Sequence, residues 1–181
     1  MQKFLVGGAV RDALMGVQSN DLDYAVGLST EDILLGEDPF NAMDRILTTQ
    51  GYKIFVRNPE FLTIRAMDPK GKVADFVLCR REGNYSDGRR PDLVEVGTLF
   101  DDLSRRDFTM NAMAQASDGS IIDYFGGQDD IRSRIIRSVG DPWLRFEEDA
   151  LRIMRVLRFS VTKGFNIERP IWEVLEEDAL L

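Results

Sequence analysis

The sequence predicts an α+β fold: a mixed or antiparallel sheet with helices, followed by an α-helical extension. Two observations carry this expectation. The N-terminal half holds several short apolar segments bounded by turn residues, the pattern of strands. The C-terminal quarter opens with Asp141-Pro142 and continues at helical spacing. Strands first and long helices last point to an α+β head with a helical appendage.

Each element has its own local reason. Residues 2–6 read as a strand ending at Gly7-Gly8, and residues 9–15 as a short helix with Gly16 as its stop. Residues 21–26 alternate as a strand. "PFNAMDRILTTQ" (39–50) has an early proline, helical apolar spacing and Gly51 after it. "YKIFVR", "FLTIRAM" and "KVADFVLCR" read as three strands, with the turn "DPKG" between the last two. Residues 81–98, rich in Gly, Asp, Arg and Pro, read as a mobile loop. "FDDLSRRDFTMNAMA" mixes charge with helical spacing. "GSIIDYF" reads as a short strand and "GGQDDIRSRIIRSV" as a turn into a helix. From Asp141 one helix is expected to run to about Lys163 and end at Gly164, with a last helix over 170–180.

Composition narrows the chemistry. A chain of 181 residues makes one domain, or one domain with a short appendage. With 44% hydrophobic and 30% charged residues it is globular rather than disordered. No apolar run reaches the length of a membrane span, and Arg11 and Asp12 come too early for a signal peptide. The single cysteine, Cys79, cannot form an internal disulfide, which fits a reducing cytoplasm. There is no histidine, so catalysis would rest on carboxylates, arginines and an oxygen-liking metal. The net charge of −8 weakens a bulk-electrostatic case for nucleic-acid binding. The arginines are nevertheless grouped, at 80–81, 89–90, 105–106, 132–137 and 145–158. A locally basic groove and a set of solvated surface arginines are both compatible with that grouping.

The stretch "FLVGGAVRDALMGVQSNDLDYAV" (4–26) holds the first candidate site. Residues two apart on a strand share a face, so Asp21 and Asp23 would project together while Leu22 and Tyr24 face the core. Paired carboxylates repel unless a cation sits between them, and Mg²⁺ suits carboxylates plus substrate phosphates. A solvated turn is the plain alternative. Gly7-Gly8, between a strand and a helix, has the geometry of a phosphate-cradling turn and also of a tight turn alone. Asp75, an acid in an apolar strand, is the candidate third carboxylate, or else an edge-strand charge. Glu82 and Asp87 are loop acids without such a constraint. On the helix from Asp141, Trp143, Phe146, Ala150, Ile153, Met154 and Leu157 fall on one arc, and Arg145, Glu148, Asp149, Arg152 and Arg155 on another. That polar arc is either solvated or offers Asp149 and Arg152 to the edge of a base.

Taken together, these stretches resemble the tRNA nucleotidyltransferase/poly(A) polymerase family, in particular class II CCA-adding enzymes. "LVGGAVRDALMG" followed by "DLDYA" resembles the nucleotidyltransferase signature, "VADFVLCR" the strand of the third carboxylate, and "NYSDGRRP" the flexible loop. "DDLSRRDFTMNAMA" and "RFEEDALRIMRVLRF" are similar to the family's Arg-Arg-Asp-Phe-Thr-x-Asn-Ala and Glu-Asp-x-x-Arg motifs. The resemblance implies a polymerase-beta-like nucleotidyltransferase head over residues 1–138 and a helical neck over 139–181. It implies Asp21 and Asp23 as Mg²⁺ ligands, Asp75 as the third catalytic carboxylate, and nucleotide contacts from Gly7, Gly8, Arg11, Arg106, Asn111, Asp149 and Arg152. The implied substrates are CTP or ATP and an RNA 3′ end, that of tRNA. Two departures stand out. Phe61-Leu62-Thr63 replaces the common Phe-Gly-Thr, and the family's helical body and tail are missing, as in a fragment or a minimal enzyme. Another acceptor, or a non-catalytic nucleotide- or RNA-binding module, stays open.

Overall fold

The computed structural model describes residues 1–178 other than 84, 87 and 90. Strand β1 (Gln2–Val6) ends at Gly7, whose φ of 69° supplies the sharp turn into helix α1 (Gly8–Leu14). Strand β2 (Asp23–Gly27) follows, and then α2 (Pro39–Thr49). Asp38 caps α2 by accepting from the Phe40 and Asn41 amides at 2.8 and 3.3 Å, with Pro39 in the first turn. Strands β3 (Lys53–Asn58), β4 (Thr63–Met67) and β5 (Val73–Leu78) lie in the three segments read as strands.

Next come β6 (Arg80–Glu82), β7 (Val94–Val96), α3 (Leu99–Ser104), β8 (Met113–Gln115), β9 (Ile121–Asp123), α4 (Gly127–Ser133) and β10 (Ile135–Ile136). The C-terminal part holds α5 (Pro142–Glu148), α6 (Leu151–Lys163), β11 (Asn166–Ile167) and α7 (Arg169–Asp178). Among the described residues, no helix is long and apolar enough to cross a membrane.

Seven strands form one mixed sheet in the order β3-β4-β5-β2-β1-β8-β9. Its β2–β5 pair is parallel, and the register sets Asp23 beside Asp75. The other neighbours in this sheet run antiparallel. One face of the sheet packs with α2 through Val26, Met43, Leu47, Ile64 and Phe76. A second core holds Val6, Ala25, Cys79, Leu103 and Ala114. A third unites Phe108 and Met110 with Ile136, Phe146, Val156, Phe159, Phe165, Ile171 and Val174, so residues on both sides of position 138 share apolar packing.

Several local expectations need correction. The helix expected over 141–163 is two helices. Asp149 is extended (φ −151°), and its side chain accepts from the Leu151 amide at 3.0 Å, so it leaves α5 and caps the next turn. The apolar arc is partly exposed at Trp143, Met154 and Leu157, while Arg152, Val156 and Phe159 are buried. Residues 81–98 are not all loop, because β6 and β7 pair at its ends. Asp87 of that segment lies outside the described residues. Glu82 is not an unconstrained acid: its carboxylate takes Arg80 at 2.8 Å and Arg105 at 3.0 Å. The helix expected through "FDDLSRRDFTMNAMA" stops at Ser104. Asp107 accepts from the next amide, and Thr109–Asn111 forms a single 3₁₀ turn before β8. Leu62 holds φ 55°, in the left-handed region glycine favours. That conformation costs about 1–2 kcal/mol, and packing of the leucine against the core beneath α2 offsets it.

Candidate active site

A cleft of about 480 Å³ opens where the Gly7 turn, the segment before β2, the chain after α3 and the inner face of α6 meet. Its first wall is the glycine turn. A Cβ on Gly7 would lie 3.0 Å from Arg106 Nη1, and one on Gly8 would lie 3.3 Å from Arg11 Nη2. Two guanidinium groups therefore lie directly against this backbone. Arg11 is 7% exposed; its Nη1 donates to Asn111 Oδ1 at 2.6 Å and its Nε to Asp12 Oδ1 at 2.9 Å. Those partners fix its orientation, and Nη2, itself 2.9 Å from Asp12 Oδ1, lies against the turn.

The second wall is acidic. Asp21 and Asp23 both line the cleft, but Asp21 does not share the strand. The Ser19 hydroxyl accepts from the Asp21 amide and donates to the Asp21 carbonyl, at 3.3 and 3.2 Å, and this local turn holds Asp21 before the ladder begins. Burial first, and then the charge of Asp21, push the Asp23 carboxyl above its ordinary range. Asp75 adds to the rise, and Arg106 and Arg65 only partly oppose it. Asp75 is the one sequence-predicted site residue that does not line the cleft. It stands beside Asp23 in the parallel register and pairs with Arg65 at 3.4 Å.

Among the described residues, no three acidic or thiol side chains are gathered closely enough to make a metal cage. A Mg²⁺ site needs only one or two carboxylates with substrate phosphates. Asp21 and Asp23 fit that requirement, because their mutual repulsion is the charge imbalance a cation would relieve.

The third wall is cationic. Arg105, Arg106, Arg152, Arg155 and Arg158 join Arg11 around the cleft, a basic groove on an acidic chain. Buried Asp102 pairs with Arg105 at 2.6 Å and Arg106 at 2.9 Å. Burial works to raise the Asp102 carboxyl, but the two arginines outweigh it and hold it below its ordinary range. Asp107 is buried as well. It accepts from Asn111 Nδ2 at 3.0 Å and from Arg155 Nε at 2.7 Å, tying the 3₁₀ turn to α6. The Phe159 ring carries three guanidinium groups, those of Arg11, Arg155 and Arg158, at 5.0, 5.8 and 4.8 Å.

Asp149 and Arg152 both line the cleft, on either side of the break before α6 rather than along one helix. Arg152 is 7% exposed and donates to Arg145 O, Glu148 Oε2 and Arg105 O at 3.1, 2.9 and 3.0 Å. Three of its five N–H groups are thus committed within the protein.

Asp107, Arg158 and Phe159 were not singled out from sequence. Spacing from Arg152 offers a signal for Arg155 and Arg158, which follow it at three-residue steps along one helix. Asp107 stands inside the Arg-Arg-Asp-Phe-Thr-x-Asn-Ala stretch, but its partner Arg155 comes from a distant segment.

Comparison with known proteins decides the family. The poly A polymerase head domain family matches residues 3–137. The chain belongs to this family. Among curated relatives in the family, the CCA-adding enzyme of Geobacillus sp. (strain WCH70) is 38% identical over 181 residues, covering 99% of this chain and 41% of the relative. That of Staphylococcus saprophyticus is 42% identical over 175 residues, covering 96% and 40%. The crystal structure of the Bacillus stearothermophilus CCA-adding enzyme in complex with CTP matches with a TM-score of 0.72 at 36% identity, over 93% of this chain and 37% of that one. A tRNA nucleotidyltransferase complexed with a primer tRNA and an incoming ATP analog matches with a TM-score of 0.73 at 31% identity, over 97% and 46%. The α+β nucleotidyltransferase head expected from the motifs is therefore the fold of this chain. The chain spans about two-fifths of the length of these curated head-domain relatives.

Proposed function

We propose that this chain transfers a nucleotidyl group from CTP or ATP to the 3′-hydroxyl of an RNA, the acceptor end of tRNA, releasing pyrophosphate. The observation that carries this reading is the joining of Asp21 and Asp23 to an arginine wall in one cleft. The relatives named for CCA addition and the structures with CTP and with primer tRNA support it. In this reading residues 1–138 form the catalytic head and 139–181 the neck. The reading sets the protein in the cytoplasm, where one buried thiol, raised to about 12 chiefly by burial, stays inert.

In the reaction, the RNA hydroxyl attacks the α-phosphorus. A P–O bond forms there, and the bond to the leaving pyrophosphate breaks. Asp21 and Asp23 would hold Mg²⁺, with Asp75 beside them. When bound, such an ion neutralises phosphate charge and favours the ionised attacking hydroxyl. Gly7 and Gly8 let phosphate oxygens approach the backbone. Arg11, oriented by Asn111 and Asp12, steadies the triphosphate, and Arg106, Arg155 and Arg158 spread positive charge along it. Asp149 retains a carboxylate oxygen beyond its capping bond, and Arg152 retains two N–H groups. Together they offer acceptor and donors to a base edge.

The test is incubation of the purified chain with Mg²⁺ and each labelled NTP. The acceptors are tRNAs ending before, within and after CCA, and Asp23→Asn is the control. CTP or ATP added to the truncated tRNAs by the wild type alone is the expected result. Incorporation of all four nucleotides alike, or none with any acceptor, would overturn the reading.

A further inference from the structure

Helix α6 is attached to the rest of the chain in an unusual way. Its N-terminal end follows the extended Asp149, so α5 does not hold it as a continuous rod. Its C-terminal end leads through Gly164, in the left-handed conformation, to the two-residue strand β11. Its placement over the cleft therefore depends on what its inner face touches. Arg155, Phe159 and Lys163 recur every four residues and form one stripe. Each meets a different group of the head: Arg155 meets Asp107, Phe159 lies against the Arg11 guanidinium, and Lys163 meets Asp12.

The last of these contacts is not explained by nucleotide chemistry. Lys163 is absent from the cleft lining. Its Nζ donates to Asp12 Oδ1 at 3.0 Å, joining residues 151 positions apart, with side chains 23% and 15% exposed. The same oxygen accepts from Arg11 Nε. A cation in the last turn also suits the helix C-terminus.

We propose that Lys163 is a positioning residue: its ion pair with Asp12 latches the end of α6 to α1 and sets the reach of the α6 arginines over the glycine turn. As a statement about catalysis this rests on the nucleotidyl-transfer reading. As a statement about α6 it does not. Burial works to raise the Asp12 carboxyl, but the hydrogen bonds from Lys163 and Arg11 outweigh it and lower it, as a latched carboxylate requires. The pair is partly shielded from water, so its loss should loosen α6 without unfolding the chain.

The test compares Lys163→Arg, Lys163→Met and Lys163→Glu. Methionine keeps most of the stem and removes the charge; glutamate repels Asp12. With CTP and ATP, Lys163→Met should raise KM about two- to fivefold with kcat nearly unchanged, as suits an ion pair of modest strength. Lys163→Glu should raise KM further, and Lys163→Arg should return it toward wild type. Amide hydrogen exchange in α1 and the last turn of α6 should quicken in the same order. Unchanged KM and exchange in both Met and Glu variants would overturn the proposal. So would a fall in kcat alone, or a loss that arginine does not restore. If the wild type transfers no nucleotide, the functional reading fails, and the exchange series alone still decides whether the latch exists.

Discussion

Replacing Asp107 by asparagine separates the charge of this buried side chain from its shape. The carboxylate takes four donors: the Phe108 amide at 2.8 Å, Asn111 Nδ2 at 3.0 Å, and Arg155 Nε and Nη2 at 2.7 and 2.6 Å. Asparagine can keep the first two on its carbonyl oxygen. Its NH₂ must then face the two Arg155 donors, so a buried donor is left unpaired. Such a group costs about 1–3 kcal/mol. Arg155 is 44% exposed and can turn to water, so its own share lies at the low end. A total near 2 kcal/mol follows, or about 4–8 °C in Tm for a chain of this size. Urea titration and thermal melting give the stability, and steady-state kinetics with CTP should show a raised KM as Arg155 loses its anchor. Stability within about 0.5 kcal/mol of wild type, with KM unchanged, would refute the claim that Asp107 ties the 3₁₀ turn to α6.

Three further outcomes are expected. Asp23→Asn should lower transfer by roughly 10³-fold or more, and added Mg²⁺ should raise the Tm of wild type but not of the mutant; equal Mg²⁺ responses in melting curves would count against the paired-carboxylate site. Arg152→Ala should both blur the preference for CTP and ATP over UTP and GTP and lower stability, because three internal acceptors lose their donor; kcat/KM ratios with a urea midpoint check both. Asp102 has a lowered folded pKa, so its stabilising contribution is complete above the ordinary value of 3.8 and disappears as pH falls through the lower folded value; urea midpoints across that acid range should fall more steeply for wild type than for Asp102→Asn, and parallel slopes would exclude this source of acid sensitivity.

What the sequence made legible follows from which interactions are local. Strand β1, helix α2 and the β4–β5 turn were readable because an apolar run stopped by Gly7-Gly8, an early proline with helical apolar spacing, and Asp-Pro-Lys-Gly act within a few residues. The glycine turn and the two early aspartates were readable for the same reason. The break at Asp149 was not, since helical periodicity continues through it and only the fold decides between capping and a continuous turn. Burial of Arg152 was misleading from sequence: an arginine on a polar arc reads as solvated until its backbone acceptors, 145 and 105, are brought to it. The adjacency of Asp75 to Asp23 depends on a parallel pairing across a long crossover, which leaves no local pattern beyond one acid in an apolar strand.

The spread of the cleft along the chain also bears on how the protein is made. The glycine turn and acidic pair are synthesised well before Arg155, Phe159 and Lys163. Until that stripe packs, Asp12 lacks Lys163 and Asp107 lacks Arg155. The pairing of β2 with β5 likewise waits for everything between them, the kind of non-local closure that slows folding. A nucleotide that needs both walls can reward only the finished arrangement. By mass action it would then stabilise α6 against the head more than it stabilises the sheet, so nucleotide would act after the strands have paired, as a clasp on α6 rather than a template for the sheet.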